Sequence, residues 1–130
     1  MREPKDQGAA AVEFALIAII FITMILGAID FGHAWGVQAN LAQATRDAAR
    51  EMAIKDDATA ATERFHLTFR PIGATEAEAA MATVTFSRVG APGEDECRDI
   101  AVGSYVSPTL TGFFSETFTL GARGVMRCGG

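Results

Sequence analysis

From Phe14 to Ile29 every residue is apolar or small except Thr23, and after Glu13 no charge appears until Asp30. The stretch 9–32 is long enough, at about 1.5 Å per residue, to cross a bilayer core of about 30 Å. Beyond it the pattern stays helical but becomes amphipathic. Ala39, Leu41, Ala42, Ala44, Thr45, Ala48, Ala49, Met52 and Ala53 recur at helical spacing beside Arg46, Asp47, Arg50 and Glu51. No Pro or Gly intervenes between Val37 and Arg70, so one continuous helix is expected from Ala9 to about Thr62, fraying toward Phe65. There the period shortens: Phe65, Leu67 and Phe69 alternate with His66 and Thr68 until Pro71 and Gly73 stop the segment. Thr75-Glu76-Ala77-Glu78 has the form of a capping box for a short helix before Met81. Thr83–Ser87, Ile100–Val106 and Thr117–Met126 are predicted strands, rich in β-branched and aromatic residues. An acidic loop, Glu94-Asp95-Glu96, and the segment Ser107–Ser115 connect them.

The fold class is therefore α+β: a long N-terminal helix, transmembrane and then amphipathic, followed by a small antiparallel β-sheet head. The organisation expected is a polar leader 1–8, a transmembrane helix 9–32, its continuation 33–64 outside the membrane, and a β-rich head 65–130. A cleaved secretory signal fits less well, because the helical pattern continues past the apolar run with no small-residue cleavage site behind it. In the leader, Arg2 and Lys5 are balanced by Glu3 and Asp6, so charge only leans toward a cytoplasmic N-terminus.

Composition narrows the function. The chain has 130 residues, 49% of them hydrophobic, and much of the apolar excess lies before Trp35. The remainder can build only a small core, which a covalent staple would help. A net charge of −5 argues against a nucleic-acid binder, which would show a basic stripe. Cys97 and Cys128 both follow the span. In an exported head the oxidising surroundings favour a disulfide between them over two buried thiols. If the last two strands pair antiparallel, both cysteines fall at the open end of one hairpin, within bonding reach.

Glu13 is the residue that most needs a reason, since a charge inside a bilayer costs roughly 2.5–3.5 kcal/mol on insertion scales. Two readings stand. In one, Gly8 is a joint and Glu13 an interfacial carboxylate that snorkels to the membrane surface. In the other, a membrane peptidase cuts between Gly8 and Ala9, and Glu13, now the fifth residue, pairs with the ammonium group of a neighbouring subunit. Small residues at four-residue spacing, Ala11 with Ala15 and Ala28 with Gly32 and Gly36, allow close helix packing, although such residues are common in any transmembrane helix. Asp30 and Trp35 read as membrane-interface residues, Asp30 as a stop to the span or as a helix contact. His33 and His66 lack flanking ligands, so no metal site is expected.

Gly8-Ala9-Ala10-Ala11-Val12-Glu13-Phe14-Ala15-Leu16, followed by Gly27-Ala28-Ile29-Asp30-Phe31-Gly32 and then Leu41-Ala42-Gln43-Ala44-Thr45-Arg46-Asp47-Ala48-Ala49-Arg50, resembles the TadE family. These are pseudopilins or minor pilins of the tight-adherence (Flp, type IV-like) pilus system. The resemblance covers about residues 8–52. It implies a pilin-like fold, processing after Gly8 by a prepilin peptidase, and assembly with other pilins on an inner-membrane platform with its ATPase. It also implies a single-pass inner-membrane protein with an exported head, no cofactor and no small-molecule substrate. No nucleophile, phosphate loop or zinc-protease motif is visible, so an enzyme is not expected. The alternative from another class is a permanently anchored envelope protein whose β head binds an external ligand.

Overall fold

The computed structural model describes the backbone of residues 4–129 and the side chains from Gly8 onward. The element order is α1 (Pro4–Lys55), α2 (Ala58–Thr68), α3 (Glu76–Ala79), β1 (Thr83–Val89), β2 (Arg98–Pro108) and β3 (Thr117–Arg127). A long apolar helix followed by a three-stranded antiparallel sheet of order β1-β2-β3 is the α+β class expected. The helix begins at Pro4 and passes through Gly8 without interruption, earlier than the expected start at Ala9. Proline is tolerated in a first helical turn, where its missing N–H has no partner to lose. Residues 1–3 of the expected leader lie outside the described residues, as do the side chains of Lys5 and Asp6.

The expected single helix to Thr62 is instead two. α1 stops at Lys55 because Asp56 takes a left-handed conformation (φ 51°), with its N–H still donating to the Met52 carbonyl at 2.9 Å. Aspartate is among the few non-glycine residues that adopt this conformation readily. Asp57 then caps α2, its carboxylate accepting from the Thr59 and Ala60 amides at 2.8 and 3.3 Å. Those amides, Thr59 first, hold the Asp57 carboxyl below the ordinary aspartate range. The alternation over Phe65–Phe69 is thus not strand. Phe65 and Phe69 are one helical turn apart and both turn into the core. The capping box forms as expected, with Thr75 and Glu78 exchanging bonds across the start of α3.

Helices lie on one face of the sheet. Val37, Leu41, Ala44 and Ala48 form the α1 stripe of the core, meeting Phe65, Phe69 and Tyr105. The aromatic rings pack in series, Phe65 stacked on Phe69 with centroids 5.7 Å apart and Tyr105 edge-on to Phe69 at 5.0 Å. Close approach of α1 to the sheet depends on two glycines paired with small neighbours, Gly103 opposite Ala122 and Gly124 opposite Ala101. A Cβ on Gly124 would lie 2.6 Å from the Thr45 carbonyl oxygen and 3.0 Å from the Arg46 Cα, both backbone atoms that cannot rotate away.

The far end of the head is closed by charge and by covalent bonding. Arg88, opposite Asp99 in the β1–β2 register, reaches that buried carboxylate with Nε at 2.6 Å and Nη2 at 3.2 Å. The same Nη2 donates to Asp56 at 2.5 Å, tying the α1–α2 corner to the sheet. Asp99, followed by Asp56, pushes the Arg88 pKa further up, so the guanidinium is charged at every accessible pH. Cys97 and Cys128 are joined as a disulfide with Cα atoms 5.4 Å apart, and the Gly129 amide donates to the Ala53 carbonyl at 3.2 Å.

Two stability measurements check this packing. Gly124→Ala is expected to destabilise the head by about 1–3 kcal/mol through overpacking against backbone. Gly121→Ala, where a Cβ meets nothing closer than 4.0 Å, serves as the near-neutral control. Arg88→Met is expected to cost about 3–5 kcal/mol by leaving the buried Asp99 carboxylate unpaired, and Arg88→Met with Asp99→Leu should recover much of it. Denaturant unfolding of the full chain in detergent, followed by circular dichroism, reads both.

Candidate anchoring and assembly site

The helix that carries the candidate residues is divided by its surroundings. From Gly8 to Ile29 it has almost no cover: Val12, Phe14, Leu16, Ile20 and Met24 are all exposed. This segment is long and apolar enough to cross a membrane. Within it Thr23 donates its hydroxyl to the Ile19 carbonyl at 2.8 Å, which satisfies the polar group inside the helix. From Gly27 upward the head covers one side of α1, burying Asp30, Val37 and Leu41 while Phe31 and Trp35 stay exposed.

Gly8 and Ala9 lie on the exposed first turns of α1, and a Cβ on Gly8 would meet nothing within 4 Å. Glu13 is exposed on the bare segment, about 6 Å along the axis from Ala9 at 1.5 Å per residue. Ala11, Ala15, Ala28 and Gly32 are likewise exposed, while Gly36 is half-buried, 3.9 Å from the Ile72 side chain when given a Cβ. Gly27, not among the expected packing residues, lies against Phe114 of the same chain. Trp35 is exposed beside Phe31, with ring centroids 6.2 Å apart.

Asp30 stands directly after the apolar run and makes a contact the sequence did not indicate. It is 2% exposed, and its carboxylate accepts from both the backbone N–H of Thr111, at 2.9 Å, and the Thr111 hydroxyl. Thr111 sits in the β2–β3 connection, so Asp30 fastens the tip of the sheet to α1 where the apolar run ends. The disulfide and the Arg88 pairings hold the opposite end. Sequence reasoning missed Thr111, Phe113, Phe114, Arg88 and Asp99. The adjacent aromatics in a connecting loop were a readable signal, whereas the Arg88–Asp99 pair becomes visible only once the strand register is known.

A bare apolar helix carrying a small α+β head clamped to its outer half is the architecture of a protein that one helix can anchor. The family model described as TadE-like protein matches residues 8–50, about a third of the chain, and bears out the resemblance read from the sequence. That match supports a minor-pilin family associated with the tight-adherence pilus, a structural family rather than an enzymatic one, and with the apolar helix it supports membrane anchoring. No curated protein matches the chain, and no solved structure does.

The Asp30 tie makes a local prediction. Charge-assisted hydrogen bonds contribute about 1.5–3 kcal/mol, so Asp30→Ala should raise hydrogen exchange of the Thr111 amide by roughly tenfold or more. Exchange within β1 should stay unchanged. Equal exchange at Thr111 in both proteins would show that the carboxylate does not hold the loop.

Proposed function

We propose that this chain is a pseudopilin or minor pilin of a tight-adherence, Flp-type pilus. In this reading a prepilin peptidase cuts between Gly8 and Ala9, and the mature subunit waits in the inner membrane with its N-terminus cytoplasmic and its head exported. It then joins other pilins through a platform driven by an assembly ATPase, contributing to surface adhesion. The observation that carries the reading is the coincidence of the TadE-like match, whose first residue is Gly8, with the uncovered segment of α1 that holds Glu13.

The chemistry follows from the cut. Cleavage creates an α-amino group with an ordinary pKa near 8, positively charged at neutral pH. Between packed apolar helices, that ammonium and the Glu13 carboxylate of a neighbour neutralise each other. Because the two groups are about 6 Å apart along one helix, direct pairing between parallel helices sets an axial offset of about that size. Removing one partner of a desolvated pair costs on the order of 3–5 kcal/mol, enough to select against subunits out of register.

Intact-mass measurement of the membrane-extracted protein should give a chain starting at Ala9. Gly8→Ala should leave the leader in place. Glu13→Gln should be cut normally and yet reduce incorporation into filaments at least tenfold, read by immunoblot of sheared pili. An uncut chain in functional filaments, or normal incorporation of Glu13→Gln, would overturn the proposal.

A further inference from the structure

The connection between β2 and β3 has its polarity reversed relative to an ordinary surface loop. Its hydroxyl side chains bond within the fold, while Glu116 at its sheet end is exposed: Thr109 donates to the Ser115 carbonyl at 2.6 Å, Ser115 to the Thr117 carbonyl at 2.9 Å, and Thr111 to Asp30. Its apolar side chains point out, with Leu110 60% exposed and Phe113 and Phe114 each 58% exposed. Phe114 lies against Gly27, so the aromatic pair sits at the level of α1 where the lipid-length apolar run ends at Ile29. Phe31 and Trp35, also exposed, continue the same apolar zone upward along the helix. From Gly27 to Trp35 the rise is about 12 Å, comparable with the headgroup region on one side of a bilayer together with the edge of its hydrocarbon core.

We propose that this loop is a second membrane contact: Leu110, Phe113 and Phe114 enter the headgroup–acyl boundary of the bilayer that α1 crosses. The proposal rests on the anchoring part of the functional reading and is independent of leader cleavage. Three observations favour lipid as the occupant. The apolar surface is continuous with the uncovered helix, as a surface bathed by one solvent should be. Asp30 is covered and doubly hydrogen-bonded, and the exposed Glu116 stands at the sheet end of the loop, where its carbonyl accepts from the Thr109 amide, so the tip from Leu110 to Phe114 carries no charge of its own. Aromatic side chains are also favoured at the membrane–water interface. The loop and helix together would hold the head at a set height and rotation above the membrane, since two contacts fix an orientation that one helix leaves free.

The single tryptophan makes the test direct. In a Trp35→Phe background, one tryptophan is placed at Phe113, Leu110, Ile19 or Glu94, and each full-length protein is reconstituted in phosphatidylcholine vesicles without bromine, with bromine on the acyl chains near the glycerol for the loop positions, or with bromine near the chain ends for Ile19, which lies about 15 Å below Ile29. Phe113→Trp and Leu110→Trp should lose most of their emission in brominated vesicles, as Ile19→Trp does, while Glu94→Trp keeps its own. Adding Asp30→Ala to Phe113→Trp should restore part of the lost emission by releasing the loop. If Ile19→Trp is quenched while both loop tryptophans are not, the helix is anchored and the loop proposal fails. If the loop emission is blue-shifted, unquenched by bromine and shifted back when lipid is added in excess, a second copy covers the patch and the proposal fails in that way. If Ile19→Trp is also unquenched, the anchoring reading fails and takes this one with it.

Discussion

Everything in this fold depends on one helix serving two solvents. The lower half of α1 exposes a nearly unbroken apolar surface, while its upper half supplies the central stripe of a small aqueous core. A head of this size has little apolar surface of its own to bury, and it compensates by wrapping its sheet and α2 around a rod that is already formed. The small residues of the upper half follow from this. Ala44, Ala48 and Ala49 let the sheet backbone approach, and Gly103 and Gly124 complete the approach from the other side. Larger side chains on either surface would separate the layers and leave Phe65 and Phe69 without contacts.

The two ends of the covered half are fastened by different means. At the membrane end, a carboxylate on the helix holds a loop; at the far end, a sheet arginine holds the helix corner, next to the disulfide. Between these points the packing is almost wholly apolar and non-directional, which would permit the sheet to slide or rotate on α1. Directional contacts at both limits remove that freedom. The Gln38 amide, donating to the Gly121 carbonyl at 2.7 Å, adds a third fixed point between them.

Much of this was legible in the residues. The apolar run, the small-residue stripe, the three strands and the capping box each follow a local rule, and local rules can be read without coordinates. The end of α1 was misread because its stop signal is two adjacent aspartates rather than glycine or proline: Asp56 as a left-handed cap and Asp57 as the next N-cap. Phe65, Leu67 and Phe69 illustrate a different difficulty. Their alternation is real, yet Phe65 and Phe69 are also one helical turn apart, and Leu67 stays exposed while both phenylalanines are buried. Asp30 was out of reach for a third reason. Its partner, Thr111, lies 81 positions away, and no periodicity encodes a contact made by a loop.

The head also constrains how the bare segment can meet other helices. Gly27 and Gly36 are engaged by Phe114 and Ile72 of the same chain, leaving Ala11, Ala15, Ala28 and Gly32 uncovered. At 3.6 residues per turn, Glu13 lies about 160° around the helix from both Ala11 and Ala15, and only about 60° from Ala28. A helix that docks closely on the Ala11–Ala15 face therefore cannot be the one that reaches Glu13. If both contacts form, they belong to different neighbours on opposite sides. Each subunit then uses unlike surfaces toward the two, which is the heterologous arrangement that generates open helical filaments rather than closed dimers. The placement of one acid across the helix from a pair of alanines is thus compatible with polymerisation in a way that a single shared face would not be.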